Sequence, residues 1–180
     1  MKRVLILRGS QRKNGNTALM ANEFRKGAEE SGNKVVDIFL KEKNINDCLG
    51  CNGCQRNGGT CVQKDDMEEI YKAMLESDVI VFVSPVYFYT WTSTIKRVID
   101  RTFAVENQLK NKDFYLLSAG AAPEEKFMKT MIDSFKLYVS CFRGENNNAK
   151  DILFGYGADE NWNNGKEETL QKAYELGIKI

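Results

Sequence analysis

Four of the chain's five cysteines lie within fourteen residues, in "CLGCNGCQRNGGTC", with the spacing C-x2-C-x2-C-x6-C from Cys48 to Cys61. Thiols so placed can hold a metal, pair as disulfides or sit in a loop, and their surroundings decide which. A second stretch, "RGSQRKNGNTALM" from Arg8 to Met20, brings together hydroxyls, amides and a guanidinium: Ser10, Arg12, Asn14, Asn16 and Thr17, interleaved with Gly9 and Gly15. Those groups suit an anion, because a helix N-terminus offers unpaired N–H groups and the positive end of a dipole. A phosphate monoester is the natural ligand. The ordinary alternative is that Asn16 or Thr17 is an N-cap and Asn14-Gly15 a turn. Neither the Walker A pattern nor G-x-G-x-x-G is present. The chain has no histidine, which removes the usual neutral-pH base and the commonest metal ligand and turns attention from acid–base triads to cofactor chemistry.

Length and charge narrow the field. At 180 residues one domain, 1–180, is expected, with a cysteine-rich insertion at about 47–62. Lys plus Arg is 26 against 25 Asp plus Glu, a formal charge of +1, so there is no global electrostatic case for nucleic acid or an acidic membrane. The apolar run VLIL near the N-terminus is too short for a signal peptide or a membrane span. A cytoplasmic protein with reduced thiols is expected, which argues against structural disulfides.

The elements that must position these residues alternate in type. Val4 to Leu7 and Val79 to Val83 are short continuous apolar runs, the pattern of strands buried on both faces of a parallel sheet. Lys34 to Leu40, Phe114 to Leu117 and Asp151 to Phe154 read as further strands. Helices are expected from about Thr17 to Ser31, from Asp66, over Ser93 to Phe103 with Ile95, Val98, Ile99 and Phe103 aligned, over Glu124 to Val139 with Phe127 on the buried face, and over Glu167 to Leu176. This alternation predicts right-handed crossovers and a flavodoxin-like, doubly wound five-stranded parallel sheet in the order 2-1-3-4-5, with helices on both faces. In such folds ligands bind beyond the carboxyl ends of the strands, where both the Arg8–Met20 loop and the segment after the third strand emerge.

Three stretches carry a family resemblance. "ILRGSQRKNGNTALM" resembles the phosphate loop of the flavodoxin-like NAD(P)H-dependent FMN reductases. "SPVYFYTWTSTIKRVIDR", 84–101, is similar to that family's second flavin loop and following helix, and "LLSAGAAPEE", 116–125, to its third; together they cover about residues 1–140. The resemblance implies that FMN binds with its phosphate on Ser10, Arg12, Asn14, Asn16 and Thr17. It sets the flavin ring against Pro85, Val86, Tyr87 and Phe88, with Ser118, Ala119 and Gly120 near the pyrimidine side. Tyr89 and Trp91 would cover the ring or pack at a subunit contact; taken alone, an aromatic run such as YFYTW is as readily core or interface. Lys96, Asp100 and Arg101 read as ion-pair or helix-packing residues. Reduced nicotinamide is then expected to pass hydride to the flavin, which returns electrons to an acceptor, with no catalytic acid or base supplied by the protein.

The cysteine segment resembles that of the iron–sulfur flavoproteins, a branch of the same group, which implies a [4Fe-4S] cluster on Cys48, Cys51, Cys54 and Cys61. Short x2 gaps suit three ligands on one face of a cubane, and the glycine-rich "QRNGGT" would bring the fourth around. A cluster-free loop with structural or redox-active thiols stays open beside it; zinc fits less well, since all-cysteine zinc sites usually come as two separated pairs. Cys141 reads as a small buried residue on a helix face. The expected partners are NAD(P)H, a small-molecule acceptor or a redox protein such as ferredoxin, and further copies of the chain in a homodimer or homotetramer. The rival readings are a flavodoxin-like electron carrier, disfavoured by the neutral charge and Arg12, and a non-catalytic binding module.

Overall fold

Continuous apolar runs become the strands that helices must cover from both sides. In the computed structural model, which describes residues 1–159 and 162–180, the sheet consists of β1 (Arg3–Arg8), β2 (Lys34–Phe39), β3 (Val79–Pro85), β4 (Asp113–Ala119) and β5 (Asn148–Gly155). All four pairings are parallel and the order is β2-β1-β3-β4-β5, the flavodoxin-like doubly wound arrangement expected from the sequence. The connections are α1 (Asn16–Glu30), a one-turn α2 (Gly53–Arg56), α3 (Met67–Glu76), α4 (Ser93–Arg101), α5 (Lys129–Ser140) and the closing α6 (Lys166–Ile178).

Alternate residues of each strand serve opposite cores. Leu5, Leu7, Ile80, Phe82, Phe114 and Leu116 meet α3, α4 and α5 through Met67, Ile70, Ile95, Val98, Met131 and Phe135. Val4, Ile6, Val79, Val81 and Leu117 meet α1 and α6 through Met20, Phe24 and Ala173. Register aligns Leu5 with Ile80 and Ile80 with Phe114, so the first layer is continuous across the three central strands. Among the described residues, no helix is long and apolar enough to cross a membrane.

Several boundaries differ from the sequence reading. β5 begins three residues before Asp151, because as an edge strand its first half is exposed and polar. The helix expected over Glu124 to Val139 is instead a 3-10 turn, Glu125–Phe127, followed by α5; Phe127 leaves the helix face and is 37% exposed. Phe103 likewise falls in a 3-10 turn after α4 and does not continue its buried stripe. Cys141 is exposed, not buried: it caps α5 two residues past Val139, which carries the buried face. The "ADENWNNGKEE" stretch, expected to form a surface loop or an interface, includes residues 160 and 161, which lie outside the described residues.

Helices α1 and α6 cross at contact distance because glycines face each other. A Cβ on Gly27 would stand 2.2 Å from the carbonyl oxygen of Tyr174, and one on Gly177 would stand 2.1 Å from that of Phe24. Both obstacles are backbone and cannot rotate away. Gly27→Ala or Gly177→Ala is therefore expected to destabilise the fold by about 1–3 kcal/mol despite the better helix propensity of alanine. Urea denaturation followed by circular dichroism checks this; unchanged stability would mean the helices slide apart without cost.

Candidate functional site

The loops after β1, β3, β4 and β5 are tied into a ring at the carboxyl edge. The Gly9 N–H donates to the Val83 carbonyl at 2.8 Å, and the Val86 N–H to Ala119 at 2.9 Å. Gly120 donates to Gly155 at 3.1 Å, and Ala158 donates back to Gly120 at 2.8 Å. The ring closes where the Asn16 side-chain amide donates to the carbonyls of Ala158, at 3.3 Å, and Asp159, at 2.9 Å. One hydroxyl locks the first two loops together: Thr92, the N-cap of α4, accepts from the Ile95 N–H and donates to the Gly9 carbonyl at 2.8 Å. Gly9 has to be glycine, since a Cβ there would fall 2.0 Å from Ile95 Cγ1.

Inside the ring is a cleft of about 220 Å3. Its floor is the start of α1, with Ser10, Arg12, Gly15, Asn16 and Thr17; its walls are Pro85, Val86 and Tyr87 from the β3 loop and Ala119, Gly120 and Ala121 from the β4 loop. Gly15, not Asn16 or Thr17, takes the N-cap of α1, and no side chain caps that helix. The capping alternative for Asn16 and Thr17 is thereby set aside. Ser10 Oγ accepts the Arg12 N–H at 3.0 Å, which shapes the loop around the helix start. N–H groups at a helix start, two hydroxyls and one guanidinium are donor types that suit a phosphate. The small and apolar walls fit a flat ring.

The structure brings together Ser10, Arg12, Asn16, Thr17, Pro85, Val86, Tyr87, Ala119 and Gly120. It does not bring in three other expected residues. Asn14 sits in an exposed turn. Ser118 is fully buried in the sheet, where its hydroxyl donates to the Ser84 carbonyl at 2.6 Å. Phe88 stands 98% exposed beside an adjoining hollow of about 430 Å3, which shares Val86, Gly120 and Ala121 with the cleft. Trp91 is core: it is 6% exposed, packs edge-on against Phe82 and donates from Nε1 to Ser134. Lys96 pairs with Asp100 along α4, and Arg101 forms a buried ion pair, as read from sequence. Ala121 and Ala158 line the cleft without having been singled out; the position of Ala158 after a fifth parallel strand was the available signal.

The turn bearing Phe88 is strained. Tyr87 and Thr90 exchange backbone hydrogen bonds at 3.0 and 3.1 Å around two central residues of positive φ, Phe88 at 47° and Tyr89 at 64°. Tight hairpins of that pattern favour Asn-Gly, and aromatic residues there cost roughly 1–2 kcal/mol each. Tyr89 recovers part of this by stacking on Phe127, with ring centroids 6.5 Å apart.

The cysteine segment packs at the far end of α4 from Thr92, where Gln55 donates to the Phe103 carbonyl at 2.7 Å and Cys54 and Cys61 meet the core under α3, α4 and α5. All its thiols are free; Cys48 and Cys51 are exposed, and Cys54 and Cys61 partly buried. Gly58 and Gly59 turn the chain with positive φ. Burial pushes the Cys54 thiol up. The donor set, four thiols and no imidazole, is one that an iron–sulfur centre or a zinc ion can use. Among the described residues, no three Cys, Asp or Glu side chains are yet gathered closely enough to hold an ion.

Asp65 anchors the segment. Its carboxylate accepts from Arg101 Nη1 at 2.8 Å and Nη2 at 3.1 Å, from the Asn46 N–H at 3.0 Å and from the Met67 N–H at 3.2 Å. Burial disfavours its charged form, but these bonds outweigh burial and hold the carboxyl below its ordinary 3.8.

The sheet order and the cleft at its carboxyl edge define a flavodoxin-like α/β protein. The profile of the NADPH-dependent FMN reductases matches residues 2–128, and the chain belongs to that family. It is thus an FMN-dependent NAD(P)H oxidoreductase. It is 44% identical to an iron-sulfur flavoprotein of Archaeoglobus fulgidus over 100% of this chain and 79% of that relative. It is 37% identical to one of Methanocaldococcus jannaschii over 67% of this chain and 63% of the relative, so it spans less than two thirds of that protein's length. In fold it is similar to an NAD(P)H:quinone oxidoreductase from Methanothermobacter marburgensis, with a TM-score of 0.77 at 16% identity, covering 99% of this chain and 95% of the other.

Two outcomes follow. Phe88→Gly is expected to raise stability by about 1 kcal/mol, since it relieves the backbone and removes a side chain that is almost wholly exposed; a lower melting temperature would show that the turn is not strained. Asp65→Asn is expected to cost about 3–5 kcal/mol near neutral pH by leaving Arg101 buried without its counter-charge. Because the folded carboxyl is held low, its contribution is present above the ordinary pKa and is lost as pH falls through the folded value. The gap between wild type and variant in urea titrations should therefore close well below pH 3.8.

Proposed function

We propose that the chain holds FMN in the cleft at the carboxyl edge and passes electrons between NAD(P)H, or reduced ferredoxin, and a small-molecule or protein acceptor, with a [4Fe-4S] centre on Cys48, Cys51, Cys54 and Cys61 as a second redox station. The observation that carries the flavin assignment is the ring of tied loops around a cleft seated on the N-terminus of α1. In this reading Ser10, Arg12, Asn16 and Thr17 hold the phosphate. Pro85, Val86 and Tyr87 border the ring on one side, and Ala119 and Gly120 on the other. FMN supplies hydride acceptance and electron release; the protein binds it, orients it and sets its electrical surroundings.

The iron–sulfur assignment draws on the four free thiols, on their C-x2-C-x2-C-x6-C spacing and on the names of the relatives. The exposed rings of Tyr87, Phe88 and Tyr89 at the mouth of the cleft support a homodimer or homotetramer in which a second copy covers the flavin's open side. The balance of charge and the free thiols support a cytoplasmic setting.

Arg12→Ala combined with Thr17→Ala is expected to weaken FMN binding at least tenfold, on the order of 1–3 kcal/mol for lost charge-assisted bonds. Fluorescence titration of the apoprotein measures this. Unchanged affinity would remove the phosphate from the start of α1 and with it the proposed orientation of the flavin.

A further inference from the structure

The cysteine segment is fastened to the sheet by a buried cation whose bonds exceed what fastening requires. Arg101, the last residue of α4, has a side chain 1% exposed, against an Asp65 side chain at 0%. Nη1 serves the Asp65 carboxylate and, at 2.9 Å, the Asn46 carbonyl. Nη2 serves the other carboxylate oxygen and reaches the Cys61 sulfur at 3.4 Å. Nε is buried and has no protein partner. The Arg101 carbonyl accepts the Tyr71 hydroxyl at 2.8 Å, which fixes the backbone at the end of α4.

A desolvated guanidinium normally has all its donors satisfied, because an unused buried N–H costs a lost hydrogen bond. Here one N–H is spent on a thiol, a weak acceptor, and another is left over. A metal-bound thiolate or a sulfide is a far stronger acceptor than a neutral thiol. Among the described residues, Cys61 is the one member of the cysteine run whose sulfur takes a hydrogen bond from a charged side chain. The surplus donors lie where sulfur-borne negative charge would use them.

We propose that Arg101 is a positioning residue for the iron–sulfur centre: held by Asp65, it fixes the Cys61 sulfur, donates a hydrogen bond to it and keeps Nε for a further sulfur acceptor, so that the centre accepts an electron more readily. The proposal rests on the reading that Cys48, Cys51, Cys54 and Cys61 carry such a centre. Hydrogen bonds and positive charge at cluster sulfurs favour the reduced, more negative state and raise the potential. The same residue ends the helix that Thr92 begins at the flavin cleft, so α4 is one rigid element bearing on both redox sites.

The test uses full-length protein purified anaerobically, wild type beside Arg101→Lys and the double variant Arg101→Gln/Asp65→Asn. The double variant avoids leaving a lone buried charge, and Arg101→Lys keeps the charge while losing the planar fork. Dithionite titration read by visible absorbance and by electron paramagnetic resonance gives the midpoint of the one-electron step, with iron and FMN per chain assayed on the same samples. FMN content is expected to match wild type in both variants. The double variant should lower the equilibrium constant for reducing the centre at least tenfold, about 59 mV. Arg101→Lys should shift it in the same direction by less, with altered resonance values. Iron-loaded variants with the wild-type midpoint and spectrum overturn this proposal alone. Wild-type protein that takes up no iron even after anaerobic reconstitution overturns the reading beneath it as well.

Discussion

A parallel sheet forces every strand to deliver its following loop to the same edge, and the rest of this molecule depends on how those loops are held there. The decisive tie is small: the Thr92 hydroxyl, which caps α4 and also grips the Gly9 carbonyl. It couples the loop after β1 to the loop after β3. Gly9, pressed against Ile95, lets the two approach closely enough for that bond. From that point backbone bonds run through Val86, Gly120 and Ala158 to Asn16, and the cleft is what remains in the middle.

This explains a division of labour among residues that look alike in sequence. The Asn16 side-chain amide is spent on closing the ring, while the Gly15 carbonyl takes the Ala18 N–H at the start of α1. Ser118 and Ser84 link neighbouring strands beneath the cleft. Trp91 supports the α5 side of the core, and the strained pair Phe88 and Tyr89 projects from the mouth. At the other end of α4, Arg101 and Asp65 dock the cysteine segment, so the cleft and that segment share one helix as their frame.

Much of this was legible in the sequence where the physics is local. VLIL and VIVFV read as strands because burial on both faces leaves no polar positions. The loop after β1 was legible as a cleft lining because its polar residue types, Ser10, Arg12, Asn16 and Thr17, are not those of a packed core. The polar first half of β5 gave no such signal, since an edge strand need not be apolar there. Nothing in Phe-Tyr announces a turn with two positive φ angles, because tertiary contacts and not propensity hold it. Arg101 was legible as an ion-pair residue, but its reach to Cys61, 40 positions away, exists only once α4 and the cysteine segment are packed.

The account stands or falls on two redox groups at the two ends of one helix, and a single preparation tests both: the visible spectrum of anaerobically purified protein, with FMN, iron and acid-labile sulfide determined on the same sample. The account predicts flavin bands on a broad iron–sulfur absorbance, with about four iron and four sulfide per chain. A colourless protein that takes up no FMN would contradict the cleft, and flavin bands without iron after reconstitution would contradict the role given to the four cysteines.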